Sequence, residues 1–175
     1  MERSEAKVFG IGFHKTGTSS LGSALEELGY SVCGCRLDFT DALKDGALDP
    51  VFRIVDRYDA FQDNPWPVLF RTLDTAYPGS KFILTVRDEE SWIQSLVNHF
   101  GTKHSEMRHW IYGVGCPKGH EERYLKRYRK HNEEVQAYFQ DRPEDLCILN
   151  WAEGDGWPEL CAFLDKPEPD KDFPH

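Results

Sequence analysis

Lys7-Val8-Phe9-Gly10-Ile11-Gly12-Phe13-His14-Lys15-Thr16-Gly17-Thr18-Ser19 opens as an apolar run and breaks, at His14, into a loop that carries a lysine between two glycines. Lys7 to Phe13 is short and rich in Val, Ile and Phe, the pattern of a buried strand. From Thr18 to Leu28 the period changes. Leu21, Ala24, Leu25 and Leu28 share one helical face, Glu26 and Glu27 lie on the other, and Gly29 is placed to end the helix. The order is strand, tight loop, helix. N–H groups at the start of a helix have no partner within it, and the aligned peptide dipoles favour an anion there. Gly17 lets the backbone come close to such an anion, so the loop reads as a phosphate cradle. The ATP-binding form of this loop has Lys directly after the second glycine, followed by a Ser or Thr that holds magnesium. Here Thr18 takes that place and Lys15 stands ahead of Gly17.

Outward from the loop the chain alternates between strand and helix patterns. Tyr30 to Cys33 and Tyr58 to Phe61 read as short strands, with helical pattern over Phe39 to Val55 interrupted at Gly46 and Pro50. Asp63-Asn64-Pro65-Trp66-Pro67 is a loop, and Val68 to Tyr77 an amphipathic helix. Lys81 to Val86 is nearly continuous in apolar residues, as a central parallel strand should be, with Arg87 at its end. Helices follow over Asp88 to Phe100, His104 to Tyr112 and Glu121 to Phe139, then a strand over Leu146 to Leu149 and a helix over Pro158 to Leu164. This alternation predicts a three-layer α/β/α fold around a mainly parallel sheet, with ligands bound beyond the carboxyl ends of the strands. Lys15 and Arg87 both fall at that edge.

A chain of 175 residues, 39% hydrophobic, suffices for one core. We expect one domain over residues 1–175, with 1–6 and about 166–175 as loosely held termini. Lys and Arg total 21 against 30 Asp and Glu, a net charge of −9, which excludes a general electrostatic grip on nucleic acid or an anionic membrane. Any anionic ligand needs a local pocket. The charged N-terminus and the brevity of the first apolar run fit neither a signal peptide nor a membrane span, and the five cysteines do not form a secreted disulfide framework, so a cytoplasmic protein is expected. Cys33, Cys35, Cys116 and His120 lack the paired spacing of a zinc knuckle, and no metal site is expected.

Lys15-Thr16-Gly17-Thr18-Ser19 resembles the first signature of the sulfotransferases that use 3′-phosphoadenosine 5′-phosphosulfate (PAPS). The resemblance extends to Phe82-Ile83-Leu84-Thr85-Val86-Arg87-Asp88 and Gly154-Asp155-Gly156-Trp157-Pro158-Glu159-Leu160-Cys161, and it covers nearly the whole chain in the manner of the compact sulfotransferase-like proteins. It implies a P-loop NTPase-like sulfotransferase fold. It also implies a donor site made of Lys15, Thr16, Gly17, Thr18 and Ser19, with no metal, and a second clamp for the 3′-phosphate. That clamp is an Arg at a strand end and a Ser eight residues later, here Arg87 and Ser95, with Ser91 one turn earlier on the same face. An Arg suits a phosphate because its planar guanidinium stays charged and donates several hydrogen bonds. Two features depart from the family. Ser20 and Leu21 replace the aromatic that stacks on adenine, which leaves Trp151, Trp157 or a tyrosine for that task, and Gly154-Asp155-Gly156 is acidic where the family has a basic segment.

Sulfuryl transfer to a hydroxyl or amine of a small acceptor needs a base. Many relatives place a His rather more than twenty residues before the clamping Arg. Counting back from Arg87 reaches Asp63, which is the expected base; His14 is its rival, and His99 and His104 follow. Lys15 would neutralise the leaving group. The acceptor pocket is expected from His104 to Tyr128, with Arg108, Lys118, Arg123 and Arg127. Two other readings stay open: a magnesium-dependent P-loop kinase using Asp88, and a non-catalytic nucleotide-binding protein of the same fold.

Overall fold

The structure is a computed structural model that describes residues 6–175; of the terminus expected to be loose at 1–6, all but the exposed Ala6 lies outside that range. Five strands, β1 (Val8–Gly10), β2 (Val32–Cys33), β3 (Ala60–Phe61), β4 (Lys81–Thr85) and β5 (Leu146–Leu149), form one parallel sheet in the order β2-β3-β1-β4-β5. Successive side chains of a strand point to opposite faces, and the core divides accordingly. Phe9, Phe61, Phe82 and Leu84 join the larger core with α2 (Thr40–Lys44), α3 (Asp49–Val55), α4 (Phe70–Ala76), α5 (Glu89–Phe100), α6 (Glu106–Tyr112) and α7 (Glu121–Phe139). Val8, Ala60, Ile83 and Leu149 join the smaller core with α1 (Thr18–Glu27) and α8 (Trp157–Leu164). The expected three-layer α/β architecture is present.

Several boundaries differ from the expected ones, each for a local reason. The first strand stops at Gly10 instead of Phe13, because the chain turns there and Phe13 stacks on His131 of α7 at 4.2 Å. The pattern over Phe39 to Val55 divides into two helices, and Pro50 lies in the first turn of α3, where its missing N–H breaks no helical bond. Val68 to Tyr77 begins with a 3₁₀ turn at Trp66–Leu69 before α4. The tail from Lys166, expected to be loosely held, is anchored. Phe173 packs at 4.6 Å from Trp151 and 4.9 Å from Trp157, whose indole N–H donates to Lys171 O at 2.9 Å, and Lys171 pairs with Glu27 at 2.5 Å. One aromatic residue in a Pro- and Asp-rich segment supplies that anchor. Among the described residues no helix is long and apolar enough to cross a membrane.

The loops after β1, β3, β4 and β5 meet at the carboxyl edge of the sheet, the edge at which open parallel sheets bind ligands. Gly12 fixes how closely the first of these loops lies on the third. A Cβ there would fall 2.1 Å from Thr85 Oγ1 and 2.4 Å from its carbonyl oxygen, atoms of a central strand that cannot move aside. Gly12→Ala is therefore expected to cost on the order of 3 kcal/mol by overpacking, read as a lowered melting temperature against wild type.

Candidate active site

The loop after β1 is shaped by two residues in the left-handed region, Lys15 at φ 65° and Gly17 at φ 90°. Thr16 between them is buried: its hydroxyl donates to Phe13 O at 2.6 Å and lies 2.6 Å from Thr85 Oγ1. Its side chain ties the loop to β4 while its neighbours face outward. The first helical bond of α1 runs from Leu21 N–H to Gly17 O at 3.1 Å, so the amides of Thr18, Ser19 and Ser20 precede it and have no carbonyl one turn back. On the far side, Trp151 closes over Gly17. Its indole N–H donates to Gly17 O at 3.2 Å, and a Cβ on Gly17 would lie 2.3 Å from the ring.

A cavity of about 380 Å³ opens above this loop, lined by Lys15, Gly17, Thr18 and Ser19, by Asp63 and Asn64, by Arg87 and Ser95, and by His14 and Arg108 among others. Lys15, Arg87, Ser95 and His99 also line an outer groove, with Ser91 on its rim. Arg87 is half-buried, and Tyr128 grips its backbone: the phenol accepts from Arg87 N–H at 2.9 Å and donates to Arg87 O at 2.8 Å. The Arg87 guanidinium reaches Lys15 O at 3.4 Å. Among the described residues no carboxylate forms an ion pair with Lys15, Arg87 or Arg108. Three cations without an ion-pair partner among the described residues thus line one cavity, beside the single carboxylate of Asp63, in a protein of net charge −9, a local excess of positive charge that favours an anion.

Asp63 sits at the end of β3 with φ 71°, a conformation that a non-glycine residue holds only under constraint. Its carboxylate takes the Asn64 N–H at 2.6 Å and the Thr18 hydroxyl at 3.4 Å. Burial pushes its proton affinity above the ordinary carboxylate range, and Asn64, Thr18 and Lys15 pull it back part of the way. His14 is only 5% exposed. Its Nδ1 faces the Asn64 amide nitrogen at 3.3 Å and its Nε2 the Tyr112 hydroxyl at 2.9 Å, while Trp92 N–H holds its carbonyl at 2.9 Å. Burial first, then the charges of Arg108, Lys15 and His99, lower its pKa from 6.5 to about 3.

A profile of the sulfotransferase domain family matches residues 7–118 and 104–175. The chain belongs to the sulfotransferase domain family. It is also similar to the Ava biosynthesis cluster protein M of Aspergillus versicolor, 30% identical over 209 aligned residues that take in 97% of this chain and 80% of that one.

Within this sulfotransferase domain Lys15, Gly17, Thr18, Ser19, Asp63, Arg87, Ser95, His14 and His99 line the cavity, Thr16 turns its side chain inward, and the exposed His104, paired with Glu106, does not line it. Ser95 lines both concavities and Ser91 only the outer groove, where its amide is taken by Asp88 at 2.9 Å. Asp88 caps α5 and does not line the cavity. Of the four basic residues expected around the acceptor, only Arg108 lines the cavity. Lys118 is exposed, Arg123 holds Gly113 O, and Arg127 lies over the Phe13 ring at 5.3 Å. Trp157 faces the smaller core, away from the loop that Trp151 covers. Asn64, Tyr112, Tyr128 and Thr85 went unnoticed in the sequence because each acts through a partner 41 to 98 residues away. His131 carried a signal: it continues the spacing of Tyr124, Tyr128 and Val135 along the buried face of α7, and its Nε2–H donates to Ile11 O at 2.7 Å.

The lowered pKa of His14 has a consequence for stability. Between pH 6.5 and about 3 the unfolded chain binds a proton that the folded one refuses, so stability falls as the pH drops through that window. His14→Gln is expected to remove roughly 2–3 kcal/mol of the stability difference between pH 7 and pH 4.5, measured by urea unfolding at both values.

Proposed function

We propose that this domain transfers a sulfuryl group from PAPS to a hydroxyl or amine of a small acceptor by in-line displacement. The observation that carries the reading is the convergence of Lys15, Arg87, Ser95 and Asp63 on one cavity above a loop of outward amides. Lys15 and the amides of Thr18 and Ser19 neutralise the phosphate that departs, while Arg87 and Ser95 take the 3′-phosphate. Adenine lies in the slot of about 170 Å³ between Gly17, Arg87 and Trp151, whose indole is braced from behind by Phe173. As the acceptor oxygen attacks sulfur, the bond between sulfur and the 5′-phosphate oxygen breaks, and the acceptor proton passes to Asp63. No step requires a metal held by the protein. A raised proton affinity suits Asp63 to this task, and His14, with both ring nitrogens occupied, serves to position the loop.

The relative's name places it in a biosynthesis cluster, in keeping with a small-molecule acceptor. The five cysteines are all free, which supports a cytoplasmic setting.

Calorimetric titration with 3′-phosphoadenosine 5′-phosphate (PAP), with ATP and magnesium as the control, tests the donor site. Tight metal-independent binding of PAP is expected; preference for ATP with magnesium would replace this reading with a kinase. Lys15→Ala and Arg87→Ala should each weaken PAP by about 2–3 kcal/mol, the usual worth of a charge-assisted contact, and unchanged affinity in both would remove the donor assignment. Asp63→Asn separates the base from the binding groups. Turnover should vanish with PAP affinity kept. At neutral pH the variant should melt higher than wild type, because an ionised buried carboxylate costs stability above its raised pKa, and the gain should fade towards pH 4, where the native group is protonated.

A further inference from the structure

Arg108 is the one cation at the cavity that the donor does not account for. Lys15 and Arg87 line both the cavity and the outer groove, whereas Arg108 lines the cavity alone, together with Cys35, Leu37, Asn64, Phe100 and Ser105. Asp63 lines the cavity as well. Arg108 is 6% exposed. Its Nε donates to Gly115 O at 3.1 Å and its Nη2 to Lys103 O at 2.6 Å, and the guanidinium stacks on Phe100 at 4.1 Å. These partners orient the group without neutralising it; Asp63 lines the same cavity, but among the described residues no carboxylate forms an ion pair with Arg108, and a buried cation without one is costly. A neutral donor would tie the two carbonyls as well. In the same lining the side-chain oxygen of Asn64, a residue 2% exposed, is buried without a hydrogen-bond partner. The Arg108 side of the cavity thus offers a fixed positive charge, an unused acceptor oxygen and apolar surface from Phe100 and the exposed Leu37.

We infer that the acceptor is an acidic molecule, bearing a carboxylate or phosphate next to an apolar body and its reacting hydroxyl, and that Arg108 is the residue that selects it. The anion compensates Arg108, the apolar body lies along Leu37 and Phe100, and the hydroxyl is turned towards Asp63. A neutral or cationic acceptor of the same shape leaves the guanidinium buried and unpaired, so discrimination comes from that penalty as much as from attraction.

This inference rests on the donor reading, and the experiment keeps the two apart. PAP is titrated first; failure to bind PAP counts against the donor site and leaves Arg108 to be tested on the free protein. To the PAP complex are then added the matched probes 4-hydroxybenzoate, 4-hydroxyphenyl phosphate and 4-hydroxybenzamide. At least one of the two acids is expected to bind about ten-fold or more tighter than the neutral amide, the margin of one charge-assisted contact. Arg108→Met should abolish the preference with PAP affinity unchanged. Arg108→Lys, which keeps the charge and much of the packing, should retain a reduced preference and guards against misreading a folding defect. No preference for either acid in wild type, or a preference that survives in Arg108→Met, would overturn the inference.

Discussion

Gly12 lies so close to Thr85 that no side chain fits between them, and the hydroxyls of Thr85 and Thr16 touch across the same seam. Everything at the carboxyl edge of the sheet depends on this approach. It draws the loop after β1 onto the end of β4, which sets Lys15 beside Arg87, two residues beyond Thr85. Trp151 presses on Gly17 from the other flank, and Phe173 backs Trp151, so the last residues of the chain brace the first loop. A loop with two left-handed residues would otherwise relax, because such conformations persist only where neighbours hold them. Packing energy in the two cores is thus converted into a fixed course for the loop that carries Lys15 and the amides of Thr18, Ser19 and Ser20.

A second layer of restraint comes from aromatic hydroxyl and ring groups on α5, α6 and α7. Tyr128 brackets the backbone of Arg87, Trp92 holds the carbonyl of His14, and His131 holds that of Ile11. Each satisfies a backbone group that the sheet leaves unpaired at its edge, where an orphaned polar group would be expensive. The long helix α7, polar on its outer face, therefore does more than cover the sheet: from its buried row Tyr128 holds Arg87 and His131 holds the start of the loop at Ile11.

Local patterns account for what was legible in the sequence. Lys15 to Ser19 is a motif of consecutive residues; Lys81 to Val86 is a continuous apolar run; α7 and β5 have the expected limits because amphipathic period and turn residues mark them. β3 is only two residues long and gave a weak pattern, yet it is an inner strand and carries Asp63 at its end, since partners on both sides compensate for its length. Phe173 was hidden for a different reason, and Arg108 was legible only as one of four basic residues of which it alone lines the cavity. Nothing in a Pro-rich tail or a mixed-charge segment shows which residue turns inward, and both are placed by contacts distant in sequence or by carbonyls of their own loop.

The choice between Asp63 and His14 as proton acceptor follows from how burial acts on opposite charge types. Desolvation disfavours the charged form of both, so it raises the proton affinity of the acid and lowers that of the base. At the same cavity it therefore drives the carboxylate towards being a better proton acceptor and leaves the imidazole, at about 3, a poor one. The nearby cations deepen the difference for His14 and only moderate it for Asp63. Burial is the larger cause of the loss at His14, and the charges of Arg108 and Lys15 add to it. For the proposed reaction burial, acting in opposite directions on the two groups, thus favours a carboxylate base over an imidazole, and Asp63 is the carboxylate among the residues that line the cavity.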